Sequence, residues 1–261
     1  LHHVVLPLDA AGGAVGLMGV VVHGRVVDGR GLLAFPGAVD AHQHWGIYNP
    51  LSDDTATESI TRDARWVEAG MHVRYFHHQE RNCARQRNFA IEQASHNNLL
   101  LIDDDIEVEP NWAEELFKPI WADPAVAATM GSLVNQPMSS PTLFWRIYRI
   151  LLHGRNKGLR PGLLVGAALP NGFPMSASSP IPCEWIGGGA SALRRDAFRA
   201  IGGFAPFFTG SSPGEDLDLG YRLSRTWKVY YVPSAKCFHH QAASGREDTY
   251  HHQYLSMRSR F

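Results

Sequence analysis

Leu99-Leu100-Leu101-Ile102-Asp103-Asp104-Asp105-Ile106-Glu107-Val108 is the stretch whose reading decides the fold. Four consecutive apolar residues make a strand buried on both faces, and carboxylates at its carboxyl end sit where open α/β sheets bind ligands. Alternate residues of an extended chain share a face, so Asp103 and Asp105 point one way and Asp104 the other. Like charges side by side repel, and a divalent cation held by hard oxygens relieves that repulsion, which suits a metal on a diphosphate. A solvated acidic turn capping the helix that starts at Pro110-Asn111-Trp112 accounts for the triplet equally well.

On either side of this strand the pattern alternates between helix and strand. Residues 63–69 and 82–94 are helical by their apolar spacing and their Ala, Glu, Gln and Arg content. Such alternation argues for an α/β layer fold. A second acidic segment, Gly214-Glu215-Asp216-Leu217-Asp218-Leu219-Gly220, starts a helix with carboxylates in its first turn. A well-capped helix explains it; so does a general base, since an attacking hydroxyl must lose its proton to a nearby carboxylate.

The chain has 261 residues, 44% of them apolar, enough for one catalytic domain with an appendage. Lys plus Arg number 24 against 25 Asp plus Glu, so no overall field draws it to nucleic acid, and an anionic ligand must be held locally. Cys83, Cys183 and Cys237 are far apart and lack CxxC spacing, which favours a reducing, cytoplasmic compartment. Apolar runs such as 16–22 and 163–170 fall well short of the roughly 20 residues that span a bilayer. The start at Leu1, without a signal-peptide pattern, and the abrupt end at Phe261 are what a fragment would give.

Taken in order, Arg87-Asn88, Asp103-Asp104-Asp105, Trp185-Ile186-Gly187-Gly188-Gly189-Ala190 with Arg194-Arg195, Gly202-Gly203-Phe204, Gly214-Glu215-Asp216 and Val232-Pro233-Ser234-Ala235 leading to His239 resemble the family-2 glycosyltransferases of the A-type fold. That resemblance implies a mixed α/β sheet flanked by helices. It also implies inverting transfer of a sugar from a nucleotide-diphospho-sugar donor, assisted by Mg²⁺ or Mn²⁺. By it Asp105, with Asp103 and His239, would hold the metal. Arg87, Asp103, Asp104, Gly188 and Gly189 would meet the donor, Arg87 at its diphosphate. Asp216 would be the catalytic base, with Glu215 supporting the acceptor side.

The first βαβ unit of that family is missing or replaced. Ser52-Asp53-Asp54-Thr55-Ala56-Thr57 resembles a turn after its second strand, so the transferase domain is expected over 57–261. Residues 1–56 are Gly-rich with short Val runs, hairpin-like, and expected either to be partly disordered or to lend a strand to the sheet. Within them Gly31 to His44, ending Asp40-Ala41-His42-Gln43-His44, resembles the first-strand entry of dihydropyrimidinase-like and dihydroorotase-like amidohydrolases, where a His-x-His pair binds metal. Those enzymes are barrels of about 250 residues, more than remain after His44. The pair is therefore read as vestigial.

Residues 143–152 form an apolar segment with Arg at two positions, followed by Arg155, Lys157 and Arg160. An amphipathic helix on the inner face of an anionic membrane fits this, and so does a helix packed within the protein. The His pairs at 2–3, 77–78 and 251–252 lack carboxylates at ligand spacing and read as solvated. The expected function is therefore glycosyl transfer to a glycan or lipid-linked acceptor. The alternatives are a catalytically dead module of the same fold, or an amidohydrolase using His42 and His44.

Overall fold

The computed structural model describes residues 5–7, 32–34, 82–94, 96–102, 106–136, 142–166, 168–174, 176–209, 213–239 and 258. Strands β1 (Val5–Pro7) and β2 (Leu32–Ala34) pair antiparallel in a sheet of their own. Neither joins the main sheet. The Val-rich runs at 19–22 and 25–27, the helix expected at 63–69 and the His42/His44 pair lie outside the described residues.

The main body follows as α1 (Cys83–Gln93), β3 (Asn98–Ile102), β4 (Ile106–Val108), α2 (Trp112–Ala122), β5 (Val126–Leu133) and α3 (Leu143–Gly158). After these come β6 (Leu164–Val165), β7 (Leu169–Pro170), β8 (Ile181–Pro182), β9 (Ala190–Arg194), α4 (Arg195–Ala200), α5 (Glu215–Ser224) and β10 (Lys228–His239). The principal sheet runs β3-β9-β5-β10-β4, with β8 also on β10. β5 and β10 are parallel, whereas β3/β9, β5/β9 and β10/β4 are antiparallel. This is the mixed α/β sheet that the alternating pattern implies.

Period-two alternation in β3 divides the core. Leu99 and Leu101 enter one cluster with Ala84, Ala90 and Ile91 of α1 and Leu219 and Leu223 of α5. Leu100 and Ile102 enter the other, with Trp112, Leu116, Phe117 and Ile120 of α2. Helices thus cover both faces of the sheet, which is why β3 is apolar throughout rather than at alternate positions.

The helix ends follow local chemistry. Asn82 caps α1 by accepting from the Arg85 amide at 3.0 Å, and its own amide group donates to the Phe208 carbonyl at 2.9 Å. Asn111 occupies the cap position of α2, and β4 stands between it and the aspartate triplet. Asp103-Asp104-Asp105 is therefore not the cap of that helix. In β10 the pairing with β5 shifts register between Tyr231 and Lys236, so the segment around Pro233, which lacks a backbone donor, leaves the ladder before the strand resumes.

Candidate active site

The strand ladders bring the flanks of the aspartate triplet, the end of the glycine run and His239 to one end of the sheet. Ile102, the last residue before Asp103, pairs with Ala190, the first residue after the glycine run. Ile106, the first residue after Asp105, pairs with His239. Asp103, Asp104 and Asp105 themselves lie outside the described residues. Their two flanks are nonetheless fixed beside Gly189 on one side and His239 on the other.

Around Gly188 four groups meet. Its backbone N–H donates to Asp216 Oδ2 at 3.2 Å, and the Leu217 amide donates to Asp216 Oδ1 at 2.8 Å. Both carboxylate oxygens thus have backbone donors, and the side chain is fixed in direction at the start of α5. A Cβ added to Gly188 would lie 2.5 Å from Arg87 Nη1, so only glycine lets the backbone pass this close to the guanidinium. Arg87 in turn donates to Glu215 Oε1 at 2.6 Å.

Arg87 is 2% exposed and Glu215 6%. The sequence reading sends Arg87 to the donor diphosphate and Glu215 to the acceptor; the structure joins each to the other inside the protein. Neither charge reaches solvent. A buried guanidinium requires a paired carboxylate, and this pair ties α1 to the first turn of α5. Arg87 also stands 5.7 Å from the Phe204 ring centroid.

Residues to which the sequence reading gave no role hold this arrangement in place. Asn88 donates to the Phe204 carbonyl at 2.9 Å and accepts from the Phe204 amide at 2.8 Å, a two-way clamp on the segment leading to α5. Arg222 of α5 donates to the Ile201 and Gly203 carbonyls at 2.9 and 2.7 Å, and pairs with Asp218. Gly220 lets α5 lie against the strand entry: a Cβ there would fall 2.5 Å from Trp185 Cα. That contact sets Gly188 over Asp216. A glycine one turn after an acidic helix start is the signal that could have disclosed it.

His239 closes the other side. Asn135 exchanges hydrogen bonds with its backbone, donating to the His239 carbonyl at 2.6 Å and accepting from its amide at 3.0 Å. The Gln136 side-chain amide lies 3.0 Å from His239 Nδ1. A neighbour on one ring nitrogen sets the tautomer of the other, as in metal-ligating histidines. Two polar residues following the buried strand β5 are the sequence signal for this support. Among the described residues no three His, Cys, Asp or Glu side chains gather at ligand distance. His239 stands beside Ile106, on the flank of the triplet.

The family model for glycosyl transferase family 2 matches residues 51–202. The chain belongs to glycosyl transferase family 2. The match begins close to the Ser52–Thr57 segment, and Asp216 and His239 fall beyond its end. Over 72 residues the chain is 42% identical to N-acetylglucosaminyl-diphospho-decaprenol L-rhamnosyltransferase of Mycobacterium tuberculosis, in both strain CDC 1551 / Oshkosh and strain ATCC 25618 / H37Rv. That stretch is 27% of this chain and 23% of the relative's length.

Among solved structures this transferase-family chain overlays GalNAc-T7 with UDP, GalNAc and Mn²⁺ at a TM-score of 0.58 and 16% identity, covering 80% of this chain and 39% of that one. Mannosyltransferase PcManGT from Pyrobaculum calidifontis, in complex with GDP-Man and Mn²⁺, gives 0.46 and 18% over 75% of this chain and 47% of that one. The first likeness shows the A-type glycosyltransferase fold.

Proposed function

We propose that this chain transfers a sugar from a nucleotide-diphospho-sugar donor to a hydroxyl of a glycan or lipid-linked acceptor, with inversion at the anomeric carbon. The observation that carries this reading is the convergence at one sheet end of the triplet's flanks, the glycine run, Asp216 and His239. The A-type fold and the lipid-linked acceptor in the mycobacterial relative's name support the substrate classes.

Asp216 is the general base: its carboxylate, aimed by Gly188 and Leu217, accepts the proton of the acceptor hydroxyl as that oxygen attacks. Arg87 and Glu215 keep α5 in register with the glycine run, so their part is positioning. Gly188 and Gly189 leave room for the donor beside the backbone. Asp105, Asp103 and His239 would hold Mn²⁺ or Mg²⁺, and Asp104 would meet the donor. When bound, that cation supplies positive charge to the departing diphosphate. The enzyme would work in a reducing cytoplasm, meeting a lipid-linked acceptor at the inner face of the membrane through residues 143–160.

A catalytically silent module is the second reading, favoured by the burial of Arg87, expected at the donor diphosphate, in its pair with Glu215. Purified chain, incubated with a panel of nucleotide-diphospho-sugars and Mn²⁺ or Mg²⁺, separates the two. Nucleoside diphosphate release that stops with chelator supports the enzyme. A cation-dependent thermal shift without release supports the silent module, and neither signal with any nucleotide overturns both.

A further inference from the structure

α3 presents its sides in the reverse of the usual order for a surface helix. At helical spacing Leu143, Phe144, Ile147, Leu151 and Leu152 fall on one side, and Arg146, Arg149 and His153 on the other. The apolar side faces outward, with Leu143 73% and Leu151 78% exposed. Arg149 is turned to the body, donating to Asn171 Oδ1. His153 lies beside Gly166 at the β6–β7 turn. The helix breaks at Gly154 (φ 72°, ψ 158°) and the chain turns back, so that a Cβ at Gly158 would lie 2.5 Å from the Arg149 carbonyl oxygen, and the Asn171 amide holds this return through the Gly158 and Arg160 carbonyls at 3.2 and 2.9 Å. The part before Gly154 is thus anchored through Arg149 and His153 and bare on its apolar side.

Two further features say what covers it. Phe144, Trp145 and Tyr148 pack on one another outside the body, with ring centroids 5.4 to 6.5 Å apart. The amphipathic rings of Trp and Tyr concentrate at membrane–water boundaries. In addition, no Asp or Glu occurs between Asp123 and Glu184, while Arg146, Arg149, Arg155, Lys157 and Arg160 do, in a chain whose net charge is −1. A second copy docking by this face would bring those cations against their own counterparts. Among the described residues no helix is long and apolar enough to cross a membrane.

We infer that residues 143–153 of α3 lie flat in the surface of an anionic bilayer, their apolar side in the headgroup–acyl boundary, with Arg155, Lys157 and Arg160 of the returning segment drawn to lipid phosphates. This docking rests on α3 and its charge, not on the transfer reaction. If that reaction is as proposed, docking brings the site to a lipid-linked acceptor.

Flotation of the purified chain with vesicles, without donor or metal, tests it. The protein should float with phosphatidylcholine vesicles containing phosphatidylglycerol, stay behind with phosphatidylcholine alone, and be released by salt. Leu151→Asp and Phe144→Asp should each weaken binding about tenfold with unchanged circular dichroism. Arg155→Glu with Lys157→Glu, at exposed positions, should weaken it without touching the apolar side. Flotation unchanged by these variants, equal binding to uncharged vesicles, or no binding overturns the inference. A wild-type dimer in vesicle-free buffer that Leu151→Asp dissociates overturns it too, assigning the face to a second copy.

Discussion

Arg87 Nη1 and Glu215 Oε1 stand 2.6 Å apart inside the protein, joining residues 128 positions apart in sequence. One partner comes from α1 and the other from the first turn of α5, so the pair fixes where the helix bearing Asp216 begins. Breaking a buried pair leaves an uncompensated charge. Glu215→Ala or Arg87→Ala should each cost about 3–5 kcal/mol of stability in urea unfolding. Arg87→Met combined with Glu215→Leu should cost markedly less than the two alanine losses added. Additive losses would show that the two groups do not depend on each other.

Gly188 links that pair to the proposed base. A methyl group there meets Arg87 Nη1 at 2.5 Å, and the guanidinium has little room to retreat. Gly188→Ala should therefore shift the amide that aims Asp216. Turnover is expected to fall more than tenfold, about 1.4 kcal/mol on the barrier, with a smaller change in melting temperature. Full turnover in this variant would separate Gly188 from Asp216.

Much of this was legible in sequence because the signals are local. The run Leu99–Ile102 gives a doubly buried strand, and the residues assigned to α1 and α5 start those helices as read. The two uses left open for the aspartate triplet are narrowed by β4, whose three residues separate it from the α2 cap. The Arg87–Glu215 pair was not legible: both charges are individually ordinary, and only the tertiary approach of α1 to α5 makes them partners. The same holds for Asn135 and Gln136 at His239, which a shared strand end brings together across more than 100 positions.

The buried thiols set an alkaline limit. Burial pushes Cys183 and Cys237 from 9.0 up to about 12. A raised folded value means that the native state keeps its proton where the unfolded chain has lost it. The contribution is whole below pH 9 and is lost as pH climbs toward 12, at up to about 1.4 kcal/mol per pH unit for each thiol. Cys183→Ala should flatten the decline in unfolding free energy measured across that window. An unchanged slope would mean that Cys183 ionises as readily in the native protein as in the unfolded chain.

The aspartate triplet is tested by unequal losses. If Asp105 faces the cation with Asp103, Asp105→Ala should abolish Mn²⁺-dependent thermal stabilisation by nucleoside diphosphate, and Asp104→Ala should reduce it less. His239→Ala should raise the Mn²⁺ concentration required while leaving nucleotide specificity alone. Equal losses at Asp104 and Asp105 would contradict the alternation.

Asp216 separates the enzyme from the silent module most directly. Both of its carboxylate oxygens accept backbone N–H groups, from Gly188 and Leu217, so an amide at this position must turn an NH₂ group toward one of those donors. Asp216→Asn should therefore cost about 1 kcal/mol of stability as well as the proton acceptor. If Asp216 is the base, transfer to the acceptor should fall about 10²- to 10⁴-fold while donor affinity, read by thermal shift, barely moves. The small stability loss cannot imitate that pattern, because partial unfolding lowers the concentration of active protein for donor and acceptor alike. Transfer that survives Asp216→Asn removes the residue from the chemistry, whereas a parallel loss of donor binding and turnover makes it a donor-site or folding residue.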